Sequence, residues 1–417
     1  MPFNHTVTHT IDAAAIALTF EQPADHVLHL YFRAHPKLGL RDRGWIAESL
    51  YTLLRHKRSL EVLTDSQDVR LMVLASLCKY QGISLRELQP LLSAAEETLL
   101  KKIKATPIAS LPYAAQIEFP DWLIEKLQTT LSHNELSSLA AAMNQPAPLD
   151  LRVNTVLAER LAILNELAAS GIVAAATPYS QTGIRLKQKI ALNSHPLFLS
   201  GKIEVQDEGS QILGALLAPK RGEMIVDFCA GAGGKTLMLG AQMRSQGRLY
   251  AWDISEKRLA NLKPRLKRSG LSNVHPQLLT SEQDIKIKRL QGKIDRVLVD
   301  APCSGLGTLR RNPDLKWRQT PTAISELVSK QKTILRSAAR LLKPGGRLVY
   351  ATCSILPEEN QGVVAAFLQE HEAFELLDCG ELLAQARVPL KMASFLRLSP
   401  HEHGTDGFFA AALQRLA

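Results

Sequence analysis

Two cysteines stand 50 residues apart, each closing a short β-branched run: VLVDAPCSG (297–305) holds Cys303 and LVYATCS (348–354) holds Cys353. A thiolate is a strong nucleophile, able to form a covalent intermediate with an electron-poor carbon. Asp300 ends the first run, three residues before Cys303, and supplies a carboxylate beside it. A lone cysteine is more often a small buried hydrophobe. Two at strand ends, one following Asp-Ala-Pro, argue against that account. No His or Cys lies at ligand spacing nearby, so no metal is expected.

A second motif, VDFCAGAGGKTLML (226–239), names the other reactant. Its Gly-Lys-Thr ending suggests a Walker A loop, with RVLVD (296–300) as the second strand of a nucleotide hydrolase. That loop needs glycine five residues before Gly234, and Cys229 stands there. A Rossmann-type nucleoside site fits better. Asp227 ends a strand, and Gly231, Gly233 and Gly234 let backbone approach a ligand at a helix start. Asp253 ends the next strand, RLYAWD, where a carboxylate can accept from ribose hydroxyls. Thr236 occupies the last position of GxGxxG, which argues against a dinucleotide and toward a ligand without a pyrophosphate, such as S-adenosylmethionine. Two cysteines, a carboxylate and that cofactor suit methylation of a pyrimidine carbon. Cytosine C5 is a poor nucleophile until a thiolate adds at C6 and makes the ring enamine-like. A carboxylic acid near N3 offsets charge developing in the adduct, and a base must later take the C5 proton.

The elements that position these groups form an α/β domain. EMIVDFC, GRLYAWD, DRVLVDAP and GRLVYATCS are short strands separated by helical stretches, the alternation of a mostly parallel, doubly wound sheet. In such a sheet the strands before Cys303 and Cys353 lie side by side, next to the first strand at the switch point. Residues 11–143 read as helices instead. Ile46, Leu50, Leu53 and Leu54 recur at helical spacing in 41–63, and 69–82 follows with Gly82 as its stop. Cys78 falls on the apolar side of its segment and reads as core. NQPAPLD (144–150) reads as a linker, and strand-like pieces around 151–155 and 183–192 lie in a segment of mixed character.

At 417 residues, with 46% hydrophobic and 22% charged residues, the chain has room for two or three ordinary domains. MPFNHTVTHT lacks the pattern of a secretory signal, and no apolar run is long enough to span a bilayer. Five scattered cysteines without a CxxC pair point to the reducing cytoplasm. The net charge of +10 is uneven: residues 1–145 hold 14 Lys+Arg against 15 Asp+Glu, and 146–417 hold 36 against 25. Lys257–Arg268 and Lys286–Arg318 concentrate the excess and suggest a polyanionic substrate.

With these residues in place, the chain resembles the Sun/Fmu family of RNA cytosine-C5 methyltransferases. RDRGWIAESLYTLLR resembles its NusB-like N-terminal domain. PDWLIEKL, LRVNT and VQDEGSQ resemble its connecting, RNA-contacting region, and DFCAGAGGKT, DAPCSG, ATCSILPEEN and DGFF its methyltransferase motifs. The resemblance implies an all-α NusB-like RNA-binding domain over 1–143 and a small α+β connecting subdomain over 144–215. A Rossmann-like class I methyltransferase domain would follow over 216–417. Cys353 would be the nucleophile on C6, and Cys303 would assist release of the methylated product. Asp300 would hydrogen-bond the target cytosine close to the cofactor, and Lys235 would lie at the cofactor turn near the active-site loop. Cys229, Ala230, Gly231, Ala232, Gly233, Gly234, Lys235 and Asp253, with Asp300, would hold S-adenosylmethionine. Ala232 stands where the family often has proline, and Thr280 where the third strand commonly ends in an aspartate near the adenine. The implied protein is a cytoplasmic monomer acting on RNA, ribosomal RNA before transfer RNA. Its competitor from another class is a non-catalytic RNA-binding assembly factor.

Overall fold

Helical spacing in the first 143 residues turns apolar side chains to one interior. Ile46, Leu50, Leu53 and Leu54 are all buried, packed with Met72, Leu74, Leu77 and Cys78 of the helix Val69–Lys79. The helix starts are written in the sequence as serines followed three residues later by glutamate. Ser84, Ser93 and Ser132 each accept from the backbone of Glu87, Glu96 and Glu135, whose carboxylates bond back. The helical stretch read over 41–63 is two helices, Leu40–Arg55 and Lys57–Thr64. They part at His56, whose ring stacks on Tyr80.

The computed structural model describes residues 3–188 and 190–417, so Met1, Pro2 and Lys189 lie outside the described residues. The chain divides into two units, Met1–Pro146 with Thr308–Pro321, and Ala147–Gly307 with Thr322–Ala417. The expected domain over 216–417 is therefore interrupted: residues 308–321 belong with the helical unit. Lys316 explains why. It is buried there, donating to the Arg55 carbonyl (2.9 Å) and to Asn144 Oδ1 (2.9 Å), while Trp317 Nε1 donates to the Leu54 carbonyl (2.8 Å).

The second unit holds two sheets. β1 (Leu149–Val153), β2 (Ala174–Ala176), β3 (Gly183–Leu186) and β4 (Ile203–Val205) form a small antiparallel sheet ordered β2-β3-β1-β4. Leu151, Val153, Ile184 and Ile203 bury one face against Ile163 and Leu167 of the helix Arg160–Ala169. The strand expected over 183–192 is shorter than read, ending at Leu186, and Lys189 in that stretch is not described.

The large sheet contains β5 (Met224–Asp227), β6 (Arg248–Asp253), β7 (Val274–Leu278), β8 (Ile294–Asp300), β9 (Leu342–Thr352), β10 (Phe374–Leu377), β11 (Leu396–Leu398) and β12 (Phe408–Arg415). Its order is β10-β12-β9-β8-β5-β6-β7, with β11 pairing β12. The pairs among β5 to β9 are parallel, and β12 runs antiparallel to β9. Both faces are covered, so the central strands are apolar throughout. Ile225, Leu298, Val349 and Ala351 enter one core, while Val226, Val297, Val299, Leu348 and Tyr350 enter the other. The chain leaves β5 toward β6 on one side and returns through β8 and β9 on the other. That reversal opens a crevice at the carboxyl ends of β5 and β8.

Candidate active site

A cavity of about 780 Å³ fills that crevice. Cys229, Ala230, Gly231, Ala232, Gly234, Lys235, Asp253, Asp300, Cys303 and Cys353 all line it. Gly233 does not, although sequence reasoning placed it against the cofactor. It is left-handed (φ +83°), and an added Cβ would lie 2.1 Å from Leu262 Cδ1, so it serves the turn and the packing of the helix Glu256–Ser269. Gly231 differs: its φ is +55° and a Cβ there would meet nothing within 4 Å.

The register of β8 on β9 unites the cysteines. The Ala301 N–H donates to the Ala351 carbonyl at 2.9 Å, and each cysteine stands two residues past this rung. The sulfurs are 3.4 Å apart. The hydrogen bond with Cys353 is the largest influence pushing the Cys303 thiol well up, followed by enclosure and by negative charge on Cys353 and Glu359. Cys303 therefore keeps its proton. Cys229, deeper in the turn, is raised well up by burial and then by the nearby carboxylates Asp227, Asp300 and Asp253, and is an inert thiol.

Lys235 Nζ donates to Asp300 Oδ2 at 2.7 Å and lies 5.4 Å from the Phe408 ring centre. Burial acts to lower this ammonium, but Asp300, Cys353 and Asp227 outweigh it and hold it above its ordinary value. It stays charged beside the sulfur pair. At the other end, Asp253 Oδ2 accepts the Gly231 N–H (2.8 Å) and Oδ1 the Ser255 N–H (2.7 Å). Each oxygen keeps a lone pair for a further donor.

Asp227 is a contributor that the motif reading left out of the site. It is buried and lines the cavity; Oδ2 accepts from Thr236 (2.6 Å), while Oδ1 has no partner. Burial pushes its carboxyl up to about 7, opposed by the Thr236 hydroxyl and reinforced by Asp300. Its place at the end of β5 was the available signal. Arg152, in LRVNT, is buried and donates to the Gly234 carbonyl (2.7 Å) and Gln206 Oε1 (2.6 Å), bracing the glycine turn from the small sheet. Thr280 does not line the cavity. Its backbone and hydroxyl both donate to Asp284 Oδ2, and Ser281 and Glu282 reach the cavity in its place.

The basic runs are dispersed by folding. In the first, Lys257, Arg258, Lys263 and Lys267 are exposed, whereas Arg265 and Arg268 both bind Glu204. In the second, Arg296 pairs with Glu223 at 2.7 Å, and Arg310 and Lys316 are buried. The two runs are thus not continuous phosphate-binding patches, because several of their cations serve internal carboxylates and carbonyls. Among the described residues no helix is long and apolar enough to cross a membrane, and no group of three or more His, Cys, Asp or Glu is placed to hold a metal ion.

The cavity suits S-adenosylmethionine on its own chemistry. The free lone pairs of Asp253 match a pair of ribose hydroxyls, the orphan oxygen of Asp227 matches an ammonium, and Ile254 and Leu279 offer apolar surface to a purine.

Comparison with known proteins agrees. Residues 214–414 match the family "16S rRNA methyltransferase RsmB/F", and residues 119–193 match the ferredoxin-like domain of RsmF/B-like methyltransferases. The chain is 38% identical to a probable ribosomal RNA small subunit methyltransferase B of Synechocystis, over 72% of this chain and 67% of that one. It is 30% identical to the corresponding probable Bacillus subtilis protein, over 89% and 83%. The crystal structure of PH0851 superposes with a TM-score of 0.81 at 28% identity, covering 98% of each chain. The chain belongs to the RsmB/F family of S-adenosylmethionine-dependent methyltransferases that act on small-subunit ribosomal RNA.

Proposed function

We propose that the chain methylates C5 of a cytosine in ribosomal RNA through a covalent bond between Cys353 and C6. The observation that carries this reading is the pair of sulfurs at 3.4 Å beside the Lys235–Asp300 ion pair, in one cavity with the cofactor turn. When bound, S-adenosylmethionine supplies an electrophilic methyl group. The Cys353 thiolate, with the Lys235 cation nearby, adds to C6; the C5–C6 electron pair moves to C5, and Asp300 hydrogen-bonds the ring as charge develops. After C5 has taken the methyl group, its proton must leave before the C6–S bond can break and restore the ring.

Cys303 suits that step. A thioether at Cys353 no longer carries charge. Once the adduct has formed, the largest influence holding the proton on Cys303, its hydrogen bond to Cys353, is weakened and the Cys353 charge is lost, while burial remains. Cys303, which lines the open cavity, can then release its own proton to solvent and, as a thiolate, accept the C5 proton. Two unpaired thiols in contact suit a reducing cytoplasm. The intact pair speaks against a non-catalytic assembly factor. Bisulfite sequencing of ribosomal and transfer RNA from a strain lacking the gene tests the reading: one cytosine of small-subunit RNA should lose its protection. Protection lost only in transfer RNA would move the substrate to that class.

Asp253→Ala should weaken S-adenosylmethionine binding about ten-fold or more, through loss of charge-assisted hydrogen bonds. Calorimetry with the cofactor and with ATP checks this, and tight ATP binding without a cofactor response would overturn the methyltransferase site. Exposed cations give a second expectation. Reversing Lys263 and Lys267 should reduce the salt slope of RNA binding by about one unit for each phosphate no longer neutralised. Arg296→Glu, which breaks a buried pair, should cost stability instead. A slope unmoved by the lysine reversals would return that helix face to solvent.

A further inference from the structure

Past the rung between Ala301 and Ala351, the parallel ladder of β8 and β9 ends, and both cysteines sit on the loops beyond it. A backbone link joins the loops, from the Gly307 N–H to the Cys353 carbonyl (2.8 Å), and the Ser304 hydroxyl donates to that of Ser354 at 3.1 Å. A buried carboxylate ties both loops as well. Glu359 is fully buried, and its peptide carbonyl accepts from Tyr350 of β9 (2.7 Å). Its Oε1 accepts from the Ser304 N–H (2.8 Å) and from Gln331 Nε2 (2.9 Å), and Gln331 also donates to the Pro302 carbonyl (3.0 Å). Its Oε2 accepts from the Ser304 hydroxyl (2.5 Å) and from the Ser354 hydroxyl. Ser304 and Ser354 directly follow the two cysteines.

We propose that Glu359 is a positioning residue for the cysteine pair: its carboxylate clamps Ser304 to Ser354 and so holds the sulfurs of Cys303 and Cys353 in contact. Three features support this. The carboxylate is excluded from water, a costly placement that its donors offset. Both of its oxygens are spent on the two cysteine loops and on the helix behind them, leaving none for substrate. Its charge also acts on Cys303, helping that thiol keep its proton until Cys353 has reacted.

The proposal rests on reading Cys303 and Cys353 as the reacting pair. The test compares Glu359→Ala and Glu359→Gln in the full chain, with Cys353→Ala alongside. Gln keeps the size, and the serine hydroxyls can turn to accept from its amide, so the clamp survives while the charge goes. In Glu359→Ala, kcat should fall about ten-fold or more, the scale of a lost charged hydrogen bond, with KM for RNA within about two-fold. Glu359→Gln should restore kcat to within about three-fold of the parent. In both variants the pH profile of Cys303 alkylation by iodoacetamide, followed by peptide mass, should move to lower pH. Asp300, Lys235 and Lys330, which share the cavity with Cys303, are left in place. If Glu359→Ala fails to fold, Ser304→Ala with Ser354→Ala removes the same two hydroxyl ties, along with the direct contact between the hydroxyls, and should show at least the same loss of kcat. An unchanged kcat, or an unmoved Cys303 profile, overturns the proposal. Methylation that persists in Cys353→Ala overturns the reading of the pair instead, so the two failures are told apart.

Discussion

Cys303→Ala accumulates an RNA–protein adduct that survives denaturing gels, while Cys353→Ala and the double variant accumulate none. This result is expected from the order of the steps. Attack at C6 must precede methyl transfer, so removing Cys353 prevents both product and adduct. Turnover should fall roughly 10³-fold or more, as when a catalytic nucleophile is removed. In the proposed scheme Cys303 acts after C5 has been methylated, so its loss should leave the first steps intact and stall release. Trapped RNA should rise about ten-fold or more over the parent enzyme, since the step Cys303 serves is a proton transfer of the kind that contributes roughly 10²–10⁴-fold. Leaving out S-adenosylmethionine should thin the band, because the adduct then reverts instead of waiting at the later step. A band from Cys353→Ala and none from Cys303→Ala would exchange the two roles. Methylation persisting in both without a band would end the covalent account.

The two thiols differ although both are cysteines past parallel strands, and the difference arises in their surroundings. Cys303 faces Cys353 and, through the loop that follows it, the buried Glu359; both raise it. Cys353 shares the cavity with Lys235, and its charge helps hold that ammonium above its ordinary value. The two sulfurs are thus in contact, with the Lys235 cation in the same cavity.

Much of this site was legible in the sequence because local signals set it. Strand ends carry Asp227, Asp253 and Asp300, and the parallel register of β8 on β9 turns a spacing of 50 residues into sulfur contact. The residues that escaped reading act through tertiary neighbours. Gly233 belongs to a motif yet faces Leu262, a fact that only the packing of a later helix decides. Glu359 reads as one of two adjacent glutamates in PEEN until the fold encloses it. Charge clusters fared worst, because a run of lysines and arginines does not say which of them meet carboxylates. Arg265, Arg268 and Arg296 do, and their charge is spent inside the protein.

Lys316 is the extreme case, counted in sequence among cations for RNA and found buried in the helical unit. Removing its charge should change the pH dependence of that unit's stability. Burial is the largest influence on its amine, opposed by Glu118 and reinforced by Arg55, and pushes it down to about 7. The rings of Trp317 and Phe119, 5.1 and 5.8 Å away, and the two oxygen acceptors leave it partnered but dehydrated. In the unfolded chain the amine titrates near its ordinary value of about 10.4. Below about pH 7 it is charged in both states, and the desolvation penalty is fully present. Between those two values only the unfolded chain holds the proton, so folding gains stability as pH rises. From pH 7 to 9.5 the gain amounts to about 2–3 kcal/mol. Lys316→Met should lose that slope, although it leaves the Arg55 carbonyl and Asn144 Oδ1 without a donor and so need not be more stable at any single pH. Urea denaturation at the two pH values, followed by tryptophan fluorescence, reads the difference, since Trp45, Trp122 and Trp317 all lie in the helical unit. Tyr31, Tyr51 and Tyr80, raised by burial, titrate above this range in the folded protein and act equally on parent and variant. Parallel stability–pH curves for the two proteins would mean that Lys316 keeps its proton when buried, and that Glu118 and the carbonyls around it compensate its charge in full.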